Sequence, residues 1–228
     1  MGALVMAGLG ILARPAGLLG RLTVRHAIID LAHGGYRVAP ALAKGPDRTE
    51  EFSSMIGRLK PYAAICGTYY DPDNKPLGDI VVDGRVVCRG GQRQAIGFTS
   101  TGKIKFLERK VGSRINWHGC FAGIACGPRL LRAGKIDINV KRDGFNACAA
   151  TNLARRSAVG ATRDGKLVMC VVTDEITLRT MAQLMLELGA RDAINLDGGS
   201  MCALYENGRY LVEPLRPMSS ILAVHKRR

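Results

Sequence analysis

Aromatic residues make up only 5% of this sequence, with a single Trp, and Asp and Glu are outnumbered 19 to 33 by Lys and Arg. A net charge of +14 attracts polyanions of any kind. Single-stranded nucleic-acid binders also need ring faces on which bases stack, and here those are scarce. No recognised nucleic-acid motif appears either, so no nucleic-acid partner is expected. No repeat of a coiled coil or of collagen is present, and the apolar runs do not amount to a multi-span membrane protein. No Cys-x-x-Cys pair exists, which removes zinc ribbons and thioredoxin-like redox motifs. The four histidines form no His-x-x-x-His pair, and there is no Gly-x-Ser-x-Gly elbow. Nothing points to a metal or a cofactor.

What is present is an apolar fraction of 47%, enough for a buried core, and 28 Gly in 228 residues. The seven cysteines leave at least one thiol unpaired within the chain. Most sit in apolar runs such as Ala63–Cys66 and Leu167–Cys170, where a free Cys acts as a small hydrophobe. Residues 1–21 are largely apolar or Gly, interrupted by Arg14-Pro15. They read as a leader, a weak membrane anchor or a flexible tail, and either of the first two implies export or envelope association. Residues 22–228 are expected to form one domain.

Two helices are predicted. Asp47 and Glu50 have capping-box spacing ahead of Phe52, Met55, Ile56 and Leu59, and Pro61 ends that stripe. Leu178, Met181, Ala182, Met185 and Leu188 form a second stripe after Thr177, with Gly189 as its stop. The remainder reads as strands. Asp83-Gly84, Thr101-Gly102, Ala133-Gly134, Asp164-Gly165 and Asn207-Gly208, each followed by Lys or Arg, separate short apolar runs. They predict five hairpins. The fold class is therefore α+β: an antiparallel, hairpin-rich sheet with two main packed helices, and Ile221–His225 as a late strand. Gly97-x4-Gly102-Lys103 and Gly160-x4-Gly165-Lys166 imitate a P-loop, but Ile104 and Leu167 stand where Ser or Thr must bind Mg²⁺.

One segment invites chemistry. The apolar run that contains Asn195 leads straight into Asp197, Gly198, Gly199 and Ser200. It reads either as a plain β-turn or as a carboxylate at a strand end beside backbone N–H groups that a ligand can approach.

Asn195-Leu196-Asp197-Gly198-Gly199-Ser200 resembles the Asn-Leu-Asp-Gly-Gly-Gly-Ser signature of the phosphodiester glycosidases. Ala64-Ile65-Cys66-Gly67-Thr68-Tyr69-Tyr70-Asp71 resembles the family's Ala-Ile-Asn-Gly-Thr-Tyr-Phe-Asp. Leu77-Gly78-Asp79-Ile80, Gly127-Pro128 and Arg155-Arg156-Ser157-Ala158-Val159-Gly160 follow in the family's order, across roughly residues 22–225. The sequence departs from the pattern at Cys66, where Asn is usual, and in the loop, where Ser200 takes the place of the third glycine and Met201 and Cys202 fall where small hydroxyl residues are common.

The resemblance implies a hydrolase that cleaves the sugar C1–O bond of a glycosyl-1-phosphodiester, in an envelope or exopolysaccharide glycan. A non-catalytic module for anionic glycans is the alternative. It implies Asp197 as nucleophile or base, with Asp174 as second choice, and Arg156 as a fork for the phosphate. Thr68, Tyr69, Asn195, Gly198, Gly199 and Ser200 would bind substrate. Cys66 would line the pocket within reach of small thiol reagents.

Overall fold

The structure is a computed structural model and describes residues 17–227 apart from 32, 34, 46, 47 and 111. The apolar segment up to residue 16 and Asp47, the expected first residue of the capping box, lie outside the described residues. Strands form three antiparallel sheets. The first has six strands in the spatial order Val24–Ile29, Leu167–Ile176, Ala154–Thr162, Ala190–Asn195, Arg129–Arg132 and Lys135–Ile136. The second runs Arg209–Val212, Leu204–Glu206, Ala63–Cys66, Ser220–Lys226, Tyr36–Leu42. The third runs Arg85–Cys88, Ile80–Val82, Ala122–Cys126, Gln94–Phe98, Ile104–Glu108. The class is α+β, and the late strand appears as Ser220–Lys226.

All five predicted turns close hairpins. Asp83-Gly84, Ala133-Gly134 and Asn207-Gly208 are two-residue connections in which both residues have positive φ, between +46° and +85°. Gly102 and Gly165 instead end longer loops, closed at Thr99–Lys103 and Thr162–Lys166 by backbone bonds of 2.9 and 3.0 Å. Both P-loop imitations are therefore hairpins, with Gly97 and Gly160 inside strands.

The core follows from strand alternation. In Leu167–Val172, which is buried throughout, Leu167, Met169 and Val171 enter the central cluster shared by the three sheets. Val168, Cys170 and Val172 face the other way and pack beneath the helix Leu178–Glu187. Burial on both faces is why this strand reads as an unbroken apolar run. Its helix starts as expected, with Thr177 Oγ1 accepting from Thr180 N at 3.2 Å.

The first helix, Phe52–Leu59, departs from expectation at its start. Its N-cap is Glu51, without a side-chain bond. Glu50 does not reach back into a cap, because its carboxylate binds Arg58 (2.5 and 3.1 Å) and Lys44 N (3.0 Å). A third, one-turn helix at Val140–Asp143 was not expected. Residues ahead of 22 also join the fold: Leu18–Gly20 forms a 3₁₀ turn whose Leu18 and Leu19 N–H groups donate to Glu187 at 3.1 Å each. Among the described residues, no helix is long and apolar enough to cross a membrane.

The third sheet carries its own apolar cover, in which Trp117 packs on the face away from the centre. Its indole Nε1 donates to Asp79 Oδ2 at 2.9 Å, and Gly90 N donates to Asp79 Oδ1 at 2.9 Å. Asp79 is 5% exposed, so removing it strands two donors. Asp79→Ala should lose about 2–3 kcal/mol in urea unfolding. Trp117, the single Trp, should report the change by a red-shifted emission. Unchanged stability would show that water replaces the carboxylate at no cost.

Candidate active site

The strand Ala190–Asn195 of the first sheet and the strand Leu204–Glu206 of the second are joined by the loop that carries Asp197. Main-chain bonds pin this loop to both sheets. Leu196 N donates to Ser157 O at 2.8 Å, and Asp197 N donates to Gly67 O at 3.2 Å. Gly198 passes so close to the neighbouring strand that a Cβ there would stand 2.7 Å from Arg155 O. That approach requires glycine. A 3₁₀ turn, Gly199–Met201, follows, and Ser200 O accepts from Leu215 N at 2.8 Å.

The Asp197 side chain is half-buried and meets no ion-pair partner; its Oδ1 accepts from Gly198 N at 2.9 Å. Burial pushes its carboxyl up to about 7, against the opposing pull of the Gly198 N–H and the positive charge of Arg216. Beside it, Tyr69 OH donates to Gly127 O (2.9 Å) and accepts from Asn195 Nδ2 (2.8 Å). Burial, then the charges of Cys126 and Asp197, hold this phenol well above its ordinary range, so it stays neutral. Asn195 is 1% exposed, and its Nδ2 also donates to Leu196 O at 2.6 Å. Asn195 Oδ1 and Thr68 Oγ1 are buried and meet no protein partner. Such atoms call for a water or a ligand group.

Arg156 is 8% exposed and pairs with no carboxylate. Its Nη2 donates to Asn152 O (2.8 Å) and Asn152 Oδ1 (2.7 Å), and its Nε donates to Ile176 O (3.2 Å). Burial lowers its pKa, with the nearby Tyr69 and Cys202 acting in the opposite direction. A buried guanidinium bonded only to neutral oxygens leaves a positive charge uncompensated next to the site. Half of its fork is already occupied.

Two expected site residues are engaged in bonds of their own. Asp174 Oδ2 accepts from Thr23 N at 2.5 Å, where the chain turns into the edge strand Val24–Ile29, and no hydrogen bond among the described residues links it to Asp197. Its carboxylate serves the start of that strand. Cys66 does not line an open wall. It is 1% exposed and its Sγ donates to Asp197 O at 3.1 Å, from beneath the loop. Burial and the neighbouring Cys202 raise its pKa well above the usual thiol range. A thiol so placed is inert.

The sequence reading missed Tyr70, Met201 and Arg216 as a group. Tyr70 OH donates to Met201 Sδ at 3.2 Å, and Arg216 Nε approaches the same sulfur at 3.4 Å. The Arg216 guanidinium carbon lies 5.9 Å from the centre of the Tyr70 ring. Arg216 is exposed and forms no salt bridge among the described residues, so its positive charge is uncompensated there. It sits in the loop between Val212 and Ser220, where no periodicity or motif marks it. Among the described residues, no group of three His, Cys, Asp or Glu side chains is placed to hold a metal ion.

Two predictions follow from this geometry. The folded chain retains a proton on Asp197 between about pH 4 and about pH 7 that the unfolded chain has already released. Stability should therefore fall as pH rises across that window, by up to ~4 kcal/mol, and then level off. Urea unfolding at several pH values reads the slope, and Asp197→Asn should remove most of it. In the thiol case, the exposed Cys148 should react first with a small alkylating reagent, while Cys66 stays protected until the chain unfolds. Rapid labelling of Cys66 in the native protein would contradict the burial.

Comparison with known proteins places this geometry in a family. The sequence pattern of the phosphodiester glycosidases matches residues 60–225, so it takes in the Cys66 and Asp197 segments but not the region from 22 to 59. No curated protein matches the chain by sequence. Among solved structures, a hypothetical protein from Synechocystis superposes with a TM-score of 0.77 at 17% identity, over 88% of this chain and 58% of that one. The present chain thus spans little more than half of that relative's length. The catalytic domain of zebrafish N-acetylglucosamine-1-phosphodiester α-N-acetylglucosaminidase, auto-inhibited by its pro-peptide, gives 0.72 at 22% identity, over 90% and 84% of the two chains. A putative exported protein from Burkholderia pseudomallei gives 0.67 at 13%, over 89% and 73%. At these identities the superpositions establish a shared fold, and the sequence match establishes the lineage: the chain belongs to the phosphodiester glycosidase family.

Proposed function

We propose that this chain hydrolyses the C1–O bond between a sugar and a phosphodiester, releasing the free sugar and a phosphomonoester. The observation that carries this reading is the asymmetry of charge around Asp197. One carboxyl with a raised pKa feels the positive charge of Arg216, the buried Arg156 lies beside Tyr69, and among the described residues no second carboxyl is bonded into the cluster. Most glycosidases need two carboxyl groups because an alcohol must be protonated to leave. A phosphate is already a weakly basic leaving group, so a cation that accepts its charge can stand in for the acid.

In this reading Asp197 acts as the base. At a pKa of about 7 it is balanced between holding and releasing a proton near neutral pH, which suits proton abstraction from water. The water oxygen bonds to C1, its proton passes to Asp197, and the C1–O electron pair leaves with the phosphate. Arg216 is the stronger candidate for the phosphate, because it is exposed, forms no salt bridge among the described residues and rests on Tyr70 and Met201. Arg156 supplies positive potential from behind the pocket. Tyr69 and the orphaned Asn195 Oδ1 would hold sugar hydroxyls. The setting we propose is an envelope or exopolysaccharide glycan outside the cytoplasm, which suits a surface of net charge +14 and an apolar N-terminal segment.

A panel of sugar-1-phosphodiesters, including UDP-N-acetylglucosamine, tests the reading through release of free sugar. Turnover should rise with pH through about 7. Asp197→Asn should lower kcat at least ~10²-fold while the fold survives. Arg216→Lys should cost ~10-fold or more on phosphodiesters and much less on an aryl glycoside, whose leaving group carries no phosphate. Equal losses from Arg216→Lys on both substrates would make Arg216 a structural residue. A folded, fully active Asp197→Asn variant would remove Asp197 from catalysis.

A further inference from the structure

A second recess lies away from the Asp197 loop. It is a cleft of about 1590 Å³ between the helix Phe52–Leu59, the edge strand Tyr36–Leu42 and the strands Leu204–Glu206 and Ser220–Lys226. That volume exceeds the ~300–1,000 Å³ usual for a small-molecule pocket. Six cationic side chains line it: Arg37, Lys44, Arg58, Lys60, Lys226 and Arg227. Among the described residues, no carboxylate lines it. Arg58 is neutralised by Glu50 at 2.5 Å. The other five have no ion-pair partner among the described residues: Lys226 lies 5.4 Å from the Tyr62 ring centre, and Arg227 donates to the carbonyls of Tyr36 (3.0 Å) and Ser100 (2.8 Å). A smaller recess of about 380 Å³ shares Leu42, Ala43 and Val87 with the cleft and adds Arg48 and Lys75, again without a carboxylate.

We propose that this cleft binds an acidic polysaccharide chain, at a site separate from the pocket of Asp197. Three features select that ligand. The cations are strung out: from Arg37 to Lys44 an extended chain advances roughly 20 Å, so the matching ligand carries repeated negative charges. The floor is small and apolar, with Ala39 and Ala41 on the strand, and accepts the flat face of a sugar ring. The tyrosines form no open row on which bases would stack, because each ring is packed against a neighbouring ring. Tyr62 packs on Tyr36 at 4.7 Å and is topped by Lys226, while Tyr210 makes edge contacts with Tyr205 at 5.2 Å and Phe52 at 6.1 Å. Single-stranded nucleic acid needs such a row.

The test measures equilibrium binding of the full chain to fluorescent polygalacturonate, neutral dextran and oligo(dT), at about 50 and about 300 mM salt. Polygalacturonate should bind, weaken as salt rises, and exceed the other two. Arg37→Gln, Lys44→Gln and Lys60→Gln together should weaken it ~10-fold or more, on the scale of lost charge contacts. Melting temperature and turnover of a small phosphodiester should be unchanged, since none of the three residues belongs to the Asp197 site. If the triple variant folds poorly, Lys60→Gln alone should still lower affinity and the salt slope. Dextran binding as tight as polygalacturonate, salt-independent binding, or a folded triple variant that binds like the parent would overturn the proposal. Tighter retention of oligo(dT), lost in the same variant, would overturn it in favour of a nucleic-acid surface. Binding is read without turnover, so an inactive enzyme leaves this result intact.

Discussion

A carboxyl group held half out of water without a counter-ion is the constraint on which this site is built. Asp197 follows the buried strand Ala190–Asn195; Leu196 N is bonded to Ser157 O of one sheet and Asp197 N to Gly67 O beside another, so main-chain bonds fix the point from which the side chain projects. The cost of burial is met only in part, by one N–H from Gly198 and by the distant charge of Arg216. The carboxyl answers by keeping its proton to a higher pH. A stabilising ion pair would have fixed it as a permanent anion. Strain of this kind is tolerated because the three sheets share one central core around the loop.

The sheet architecture explains why the same few residues recur at the site. Strands Ala63–Cys66 and Ala190–Asn195 belong to different sheets, and both deliver their last residues to the same point. Tyr69 follows the first strand and Asn195 ends the second, and they meet in a 2.8 Å hydrogen bond that spans 126 positions of sequence. Such a bond stiffens the pocket across the sheet junction, where the loops by themselves would give.

Much of this was legible in the sequence because it rests on local rules. The Gly-containing turns announce hairpins through the φ they require, and the Thr177 helix through its cap and stripe. The Asp197 loop was legible as an apolar strand running into a carboxylate and two glycines. What failed was whatever depends on tertiary contact. Glu50 has capping-box spacing, yet Arg58, eight residues on, claims its carboxylate. No local pattern announces that the Asp174 carboxylate takes the Thr23 N–H, 151 positions away. Arg216 lies in a loop without pattern, and only the fold brings it to Tyr70 and Met201. The cationic cleft is likewise invisible: its members come from Arg37 to Arg227, and net charge alone does not say that they converge.

Three sulfur side chains, Cys66, Met201 and Cys202, lie in or under the Asp197 loop. Cys66 lies under the loop with its thiol on Asp197 O, and Ser157 Oγ donates to Cys202 Sγ at 3.3 Å. Met201 is 3% exposed and takes its contacts from Tyr70 and Arg216 through sulfur. Sulfur is a weak hydrogen-bond partner and a soft, apolar atom, so these side chains pack the loop without adding strong dipoles to it. None of their bonds reaches the Asp197 carboxylate, on which desolvation is the largest influence, opposed by the Gly198 N–H and Arg216. The loop is thus held by main-chain bonds and close packing, and its carboxyl keeps a raised proton affinity because no ion pair among the described residues offsets its burial.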